Sequence, residues 1–138
     1  MLLRESSPGE VSFANLMPFS SSEVGSVPLA ARQFILEHSS PIWQLEENGT
    51  VFMATGIYHP TLIGHAPELW FLLYNSAETH MFETLRNIHA LARMLHRHFP
   101  GLQIHVARAF EAGNKFAVLM GFAFVKEAGA FNQYRGVK

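Results

Sequence analysis

The sequence predicts a single mixed α/β domain, and three observations carry that prediction. Glu68-Leu-Trp-Phe-Leu-Leu-Tyr74 is a continuous apolar run behind one acid, of the length and composition of a buried central strand. It feeds an amphipathic stretch from about Ala77 to Phe99. There Met81, Phe82, Leu85, Ile88, Ala92, Leu95 and Phe99 recur at steps of three and four, which gathers them on one helical face. The remaining segments alternate between strand and helix patterns, in the order β, α, β, β, β, α, β, α, β, β.

Val11-Ser-Phe-Ala-Asn-Leu-Met17 reads as the first strand, with Val11, Phe13 and Met17 on its buried face. Pro18 to Ser26 is rich in Ser, Pro and Gly and reads as a loop. Pro28 to His38 follows as a helix, because proline suits a first helical turn and Ala31, Phe34, Ile35 and His38 share a face. Ile42–Leu45 and Thr50–Tyr58 form a hairpin around Asn48-Gly49, a strong turn signal. His59 to Pro67 is a loop. After the central strand and the long helix, Pro100-Gly101 is the stop. Leu102 to Arg108 alternates as a strand exposed on one face, expected to lie parallel to the central strand and to splay from it near Tyr74 and Arg108. Ala112 to Met120 is a short helix ended by Gly121. Phe122–Lys126 and Ala130–Arg135 close the chain as a hairpin around Gly129.

The chain has 138 residues, enough for one domain spanning 1–138, and neither a repeat nor a linker divides it. It is 49% hydrophobic and only 15% charged, against roughly 25% charged in an average soluble domain. Low charge of this kind favours burial of some surface against another copy or a protein partner. The most exposed candidates are the last hairpin, through Phe124, Phe131 or Tyr134, and the first helix. The net charge of −1 offers no general attraction for nucleic acid or an anionic membrane. With no cysteine there are no disulfides, thiol nucleophiles or thiolate metal sites, which fits a cytoplasmic origin. The first residues are too few and too polar for a signal peptide, and no apolar run reaches the ~20 residues of a membrane helix.

The junction between central strand and long helix is where many α/β proteins hold a phosphate on helix-start amides. Here it reads Asn75-Ser-Ala-Glu-Thr-His-Met81, with no glycine, no Lys or Arg, and an acid at Glu78. A carboxylate in a first turn stabilises the helix by ~0.3–1 kcal/mol and repels a phosphate. The eight histidines do not make a metal site. His59 and His65 share a loop and His96 and His98 a helix end, but neither pair has a zinc spacing. Arg93, His96, Arg97 and His98 crowd the end of the long helix, where cations oppose the negative helix end. Trp43, Trp70 and the twelve phenylalanines read as core, with room for one of the tryptophans to line a groove beside the central strand.

This order of elements resembles the GCN5-related N-acetyltransferase (GNAT) superfamily over roughly Val11 to Arg135. The local matches are Glu68-Leu-Trp-Phe-Leu72 as the fourth strand, the long helix after it, and Leu119-Met-Gly-Phe122 at the end of the next helix. More narrowly, the Trp-Phe on the central strand and the poorly kept cofactor loop are similar to small GNAT-like proteins of tailed phages, some of them internal virion or head-assembly proteins. The resemblance implies a general base at Glu68, acting through water. It implies acetyl-coenzyme A along Leu73, Tyr74, Asn75, Ser76 and Ala77, with Asn114 nearby, if the site works. It also exposes departures. The family's Arg/Gln-x-x-Gly-x-Gly/Ala motif, whose amides close on the pyrophosphate, has no counterpart in Asn75–Met81. The family's common asparagine falls on Phe110 and its tyrosine acid on Ala117.

The expected function is therefore a GNAT-fold protein with a degenerate acyl-coenzyme A site and no resident cofactor. It would serve in binding or assembly, alone as a homo-oligomer or with a protein partner, in a host cytoplasm or a phage virion. The alternative is an active acetyl-coenzyme A-dependent N-acetyltransferase with a divergent cofactor loop, and a third reading is a sensor whose apolar groove takes another ligand.

Overall fold

A computed structural model describes residues 1–25, 27–60 and 66–136. Among them, seven strands form one mixed sheet: β1 (Leu2–Ser6), β2 (Ser39–Glu47), β3 (Thr50–Tyr58), β4 (Glu68–Leu73), β5 (Gln103–Ala107), β6 (Phe122–Ala128) and β7 (Phe131–Gly136). Their order across the sheet is β1-β2-β3-β4-β5-β7-β6. The helices are α1 (Pro18–Gly25), α2 (Leu29–Glu37), α3 (Met81–His98) and α4 (Glu111–Leu119). The expected loop from His59 to Pro67 falls in part on residues 61–65, outside the described residues.

Strand β4 is central, as its apolar run requires. Its antiparallel neighbour β3 pairs with it from Tyr58↔Glu68 to Met53↔Leu73. One face packs with α3 and α4 into the main core, where Leu45, Met53, Ile88, Leu95 and Leu102 are fully buried. The other face builds a smaller cluster from Leu72, Tyr74, Ala54 and Leu16. A fully buried Leu or Ile side chain contributes ~1.5–3 kcal/mol, so α3 is held chiefly by Ile88, Leu91 and Leu95. The Asn48-Gly49 turn forms as expected, with φ of 50° and 80°, the left-handed pair a two-residue hairpin turn needs.

Four expectations are corrected. The first strand is Leu2–Ser6, a segment the sequence pattern does not mark as a strand. Arg4 bonds across to Glu46 at 2.8 Å and Gln44 at 2.8 Å on β2. Val11–Met17 is irregular, and its Leu16 forms a lone bridge to Tyr74. Pro18–Gly25 is a helix rather than a loop. Pro18 occupies its first position, and the helix buries Ser20 and carries no clear helical repeat of apolar residues. The long helix begins at Met81, behind a 3-10 helix over Asn75–His80, and its stripe is Thr84, Ile88, Leu91, Ala92 and Leu95. Phe82 stands 76% exposed, off that face and under the Arg86 guanidinium.

Two smaller faces also differ from expectation. On α2 the buried residue is Leu36, while Phe34 and His38 stack on each other outside, 4.0 Å between rings. Tyr134 is buried and donates to Asn114 Oδ1, so it is no surface contact; Phe124 and Phe131 do remain exposed on the last hairpin.

Candidate functional site

Strands β4 and β5 run parallel and pair at one position, Glu68↔Gln103. Gln103 N–H donates to Pro67 O at 3.0 Å there, and beyond it the strands diverge as the sequence predicts. The divergence begins directly after this pair, earlier than the expected point near Tyr74 and Arg108, and opens a cleft of about 190 Å³ between Leu69–Leu73 and Ile104–Val106. Val24, Val27 and Ile35 close it on the α1–α2 side, and Phe116 of α4 on the other. Phe116 meets Phe71 edge to face, with centroids 5.7 Å apart. Apart from Arg32 of α2, whose Nε donates to Val27 O and whose guanidinium lies over Phe13, the walls are apolar, and the remaining polar chemistry collects at the two ends.

At the paired end, Glu68 lies beside Gln103, and His105, two residues on along β5, shares the face of Gln103 and Glu68. His105 Nδ1 lies 2.6 Å from Glu68 Oε1, and both side chains are about 30% exposed. The bond to the Glu68 carboxylate raises the proton affinity of His105 above that of an ordinary imidazole, against the opposing effect of burial. Beside the pair, Trp70 donates from Nε1 to Ser39 Oγ and lies flat on Gly56. A Cβ on Gly56 would sit 2.5 Å from the Trp70 ring. A half-buried carboxylate in contact with a basic imidazole can accept a proton from a water or an amine, or bind a cation.

The splayed end is different. Tyr74 N–H donates to Phe52 O across the β3 ladder, so by alternation Leu73 and Phe71 turn their N–H and C=O away from β3, toward the cleft. On Leu73 both groups are already engaged. Its N–H donates to the buried Ser20 Oγ at 3.0 Å, and its C=O accepts from Met17 N–H at 2.8 Å. Asn75 N–H donates to Asn15 O at 2.7 Å. Asn15 takes a left-handed φ of 58°, a conformation asparagine tolerates better than most residues. The Tyr74 hydroxyl donates to Ser12 O at 2.6 Å, and burial pushes that phenol up to about 12. The segment from Ser12 to Ser20 is thus a strap lying on the C-terminal end of β4.

The remaining candidate residues are also occupied. Ala77 is buried, with its N–H on Tyr74 O, and the Ser76 hydroxyl donates to Val51 O. Asn114 donates to Ala107 O and Phe110 O and accepts from Asn132 and Tyr134, tying α4 to β5 and β7. Glu78 is exposed in the 3-10 helix. Sequence reasoning named Glu68 as a candidate but not His105, whose contact with it depends on strand register. It also missed Asn15, Met17 and Ser20, which lie in segments read as strand and loop. Among the described residues, no three His, Asp or Glu side chains are grouped to hold a metal ion. No helix there is long and apolar enough to cross a membrane.

No protein-family model matches the sequence, and no curated protein matches it either. Solved structures do. An acetyltransferase from Agrobacterium tumefaciens superposes with a TM-score of 0.70 at 18% identity, over 99% of this chain and 91% of that one. The GNAT domain of S. lividans PAT gives 0.65 at 13%, over 96% and 88%. The chain has the GNAT fold. The PaiA N-acetyltransferase from Thermoplasma acidophilum, in complex with coenzyme A, gives 0.62 at 12% identity, over 98% of this chain and 97% of that one. Identities this low establish the fold alone, and none of these three structures is that of a virion protein.

Proposed function

We propose that this GNAT-fold chain is a binding or assembly protein whose acyl-coenzyme A groove is degenerate. The observation that carries this reading is the strap. Leu73 and Asn75, the backbone a cofactor would need at the splayed end, are hydrogen-bonded to Ser20, Met17 and Asn15 of the same chain. A ligand would have to displace those bonds, and each buried N–H left without a partner costs ~1–3 kcal/mol. The junction then lacks glycine and carries Glu78, so helix-start attraction for a pyrophosphate is opposed by a carboxylate. Exposed Phe124 and Val125 on the edge strand β6 are the surface through which the chain would join another copy or a partner. The similarity to small phage proteins makes a host cytoplasm or a virion the setting of that role.

Calorimetric titration with acetyl-coenzyme A tests it. The expected dissociation constant is weaker than about 1 mM, or about −4 kcal/mol. Micromolar binding would overturn the reading in favour of a second one, an active N-acetyltransferase. The contact between Glu68 and His105 favours that alternative, because it supplies a carboxylate base at the cleft mouth. In that case Glu68→Gln would abolish amine acetylation while leaving cofactor affinity in place.

A further inference from the structure

We infer that the groove between the C-terminal half of α3 and the end of α4 docks an acidic, apolar-bearing peptide segment of a partner protein. This groove lies apart from the β4–β5 cleft, so the inference stands whether or not that cleft takes a cofactor. Arg86, His89, Arg93 and Arg97 follow one another on α3 at steps of three, four and four, a single exposed stripe. The eleven helical steps from Arg86 to Arg97 span about 16 Å. The stripe borders an open groove of about 930 Å³ whose floor is Ala92, Pro100, Leu119 and Met120. No carboxylate lines it.

Compensation of the helix end does not account for this stripe. The macrodipole acts within the last turn. Arg97 and His98 are in that turn, but Arg86 and His89 lie about three turns earlier. Internal ion pairing does not account for it either: among the described residues Arg86, Arg93 and Arg97, like Arg32, Lys126 and Arg135, have no carboxylate partner, and Arg86 makes only a stacking contact with the Phe82 ring. Leu119, at 63% exposure, stands in the groove without a covering element.

The groove is also preformed. His96 Nε2 is 2.8 Å from Met120 O and its ring packs on Phe122. Gly121 and Gly136 close on that ring, so that a Cβ would meet it at 3.2 Å from Gly121 and closer still from Gly136. His96 therefore pins the end of α3 to the turn after α4, and little ordering remains to be done on binding.

Charge complementarity calls for carboxylates on the arginine forks, and the exposed leucine floor calls for apolar side chains between them. Nucleic acid fits poorly. The chain carries a net −1 charge, and none of the groove's lining residues is a Phe, Tyr or Trp on which a base could stack.

Fluorescence anisotropy on the full chain tests the proposal, using a labelled peptide of about 15 residues with Glu and Leu at helical spacing. We expect micromolar affinity that falls as salt rises. It should weaken roughly ten-fold or more in Arg93→Glu/Arg97→Glu and several-fold in Leu119→Asp. All three sites are exposed, and amide shifts on unmutated protein, confined to Arg86–Pro100 and Leu119–Gly121, provide a readout free of any folding change. Equal binding of polyglutamate, tighter binding of a single-stranded oligonucleotide, indifference to the arginine variants, or no binding at millimolar peptide would each overturn it.

Discussion

The two ends of β4 carry the same kind of strand edge and treat it in opposite ways. At Glu68 the edge is joined to β5, and the side chains above it, Glu68 and His105, remain partly exposed and chemically available. At Leu73 the neighbouring strand has moved away, and the exposed backbone is closed by the strap from Ser12 to Ser20. One end keeps reactive side chains over a satisfied backbone. The other uses its side chains and its own chain to satisfy a backbone that splaying left bare. An unpaired strand edge attracts a partner, and here the first partner available is the chain itself.

The largest test of this contrast is Ser20→Ala. It leaves the buried Leu73 N–H without an acceptor and should cost ~1–3 kcal/mol in urea denaturation. A change within error would mean that the strap is not what closes the splayed end. Smaller, and at the opposite end, is the pH dependence of the Glu68–His105 contact. Folding raises the proton affinity of His105. Its stabilisation is therefore fully present below the unfolded imidazole value of about 6.5, and is lost as pH rises through the higher folded value. Both groups are partly exposed, so the effect should stay below ~1 kcal/mol. Wild type should exceed Glu68→Gln in stability at about pH 6 and converge on it at about pH 9. A gap that widens with pH would reverse the assignment. The smallest effect belongs to Glu78→Gln, which removes an exposed carboxylate from the 3-10 helix ahead of α3 and should lower stability by at most ~0.3–1 kcal/mol. Any residual acetyl-coenzyme A affinity should rise in this variant; a fall would contradict the repulsion assigned to Glu78.

Much of the sheet is legible in the residue pattern. Glu68–Tyr74 had to be central because a strand apolar on both faces needs cover on both. Asn48-Gly49 had to turn, and the Pro100-Gly101 stop had to release a strand able to return parallel to β4. Local patterns failed where the N-terminal region relies on polar contacts. Leu2–Ser6 shows no strand pattern of its own, and its pairing is secured by Arg4 bonding to Gln44 opposite it and to Glu46 two residues on. Pro18–Gly25 carries no clear helical repeat of apolar residues, and its buried Ser20 accepts a hydrogen bond from the Leu73 N–H.

The candidate site divides along the same line. Sequence alone determined that Glu68 opens the central strand, that the following junction has no glycine, and that an acid stands at Glu78. These are facts of residue type and spacing. Tertiary structure alone decided that His105 meets Glu68, that Asn15, Met17 and Ser20 occupy the backbone of Leu73 and Asn75, and that Arg86 joins Arg93 and Arg97 along an open groove. The first depends on the register of β5 against β4, the second on which backbone groups splaying leaves bare and which distant segment reaches them, and the third on α4 ending beside a stripe whose spacing the sequence already carries; hydrogen bonds across 53 to 60 residues of chain leave no periodicity in the sequence.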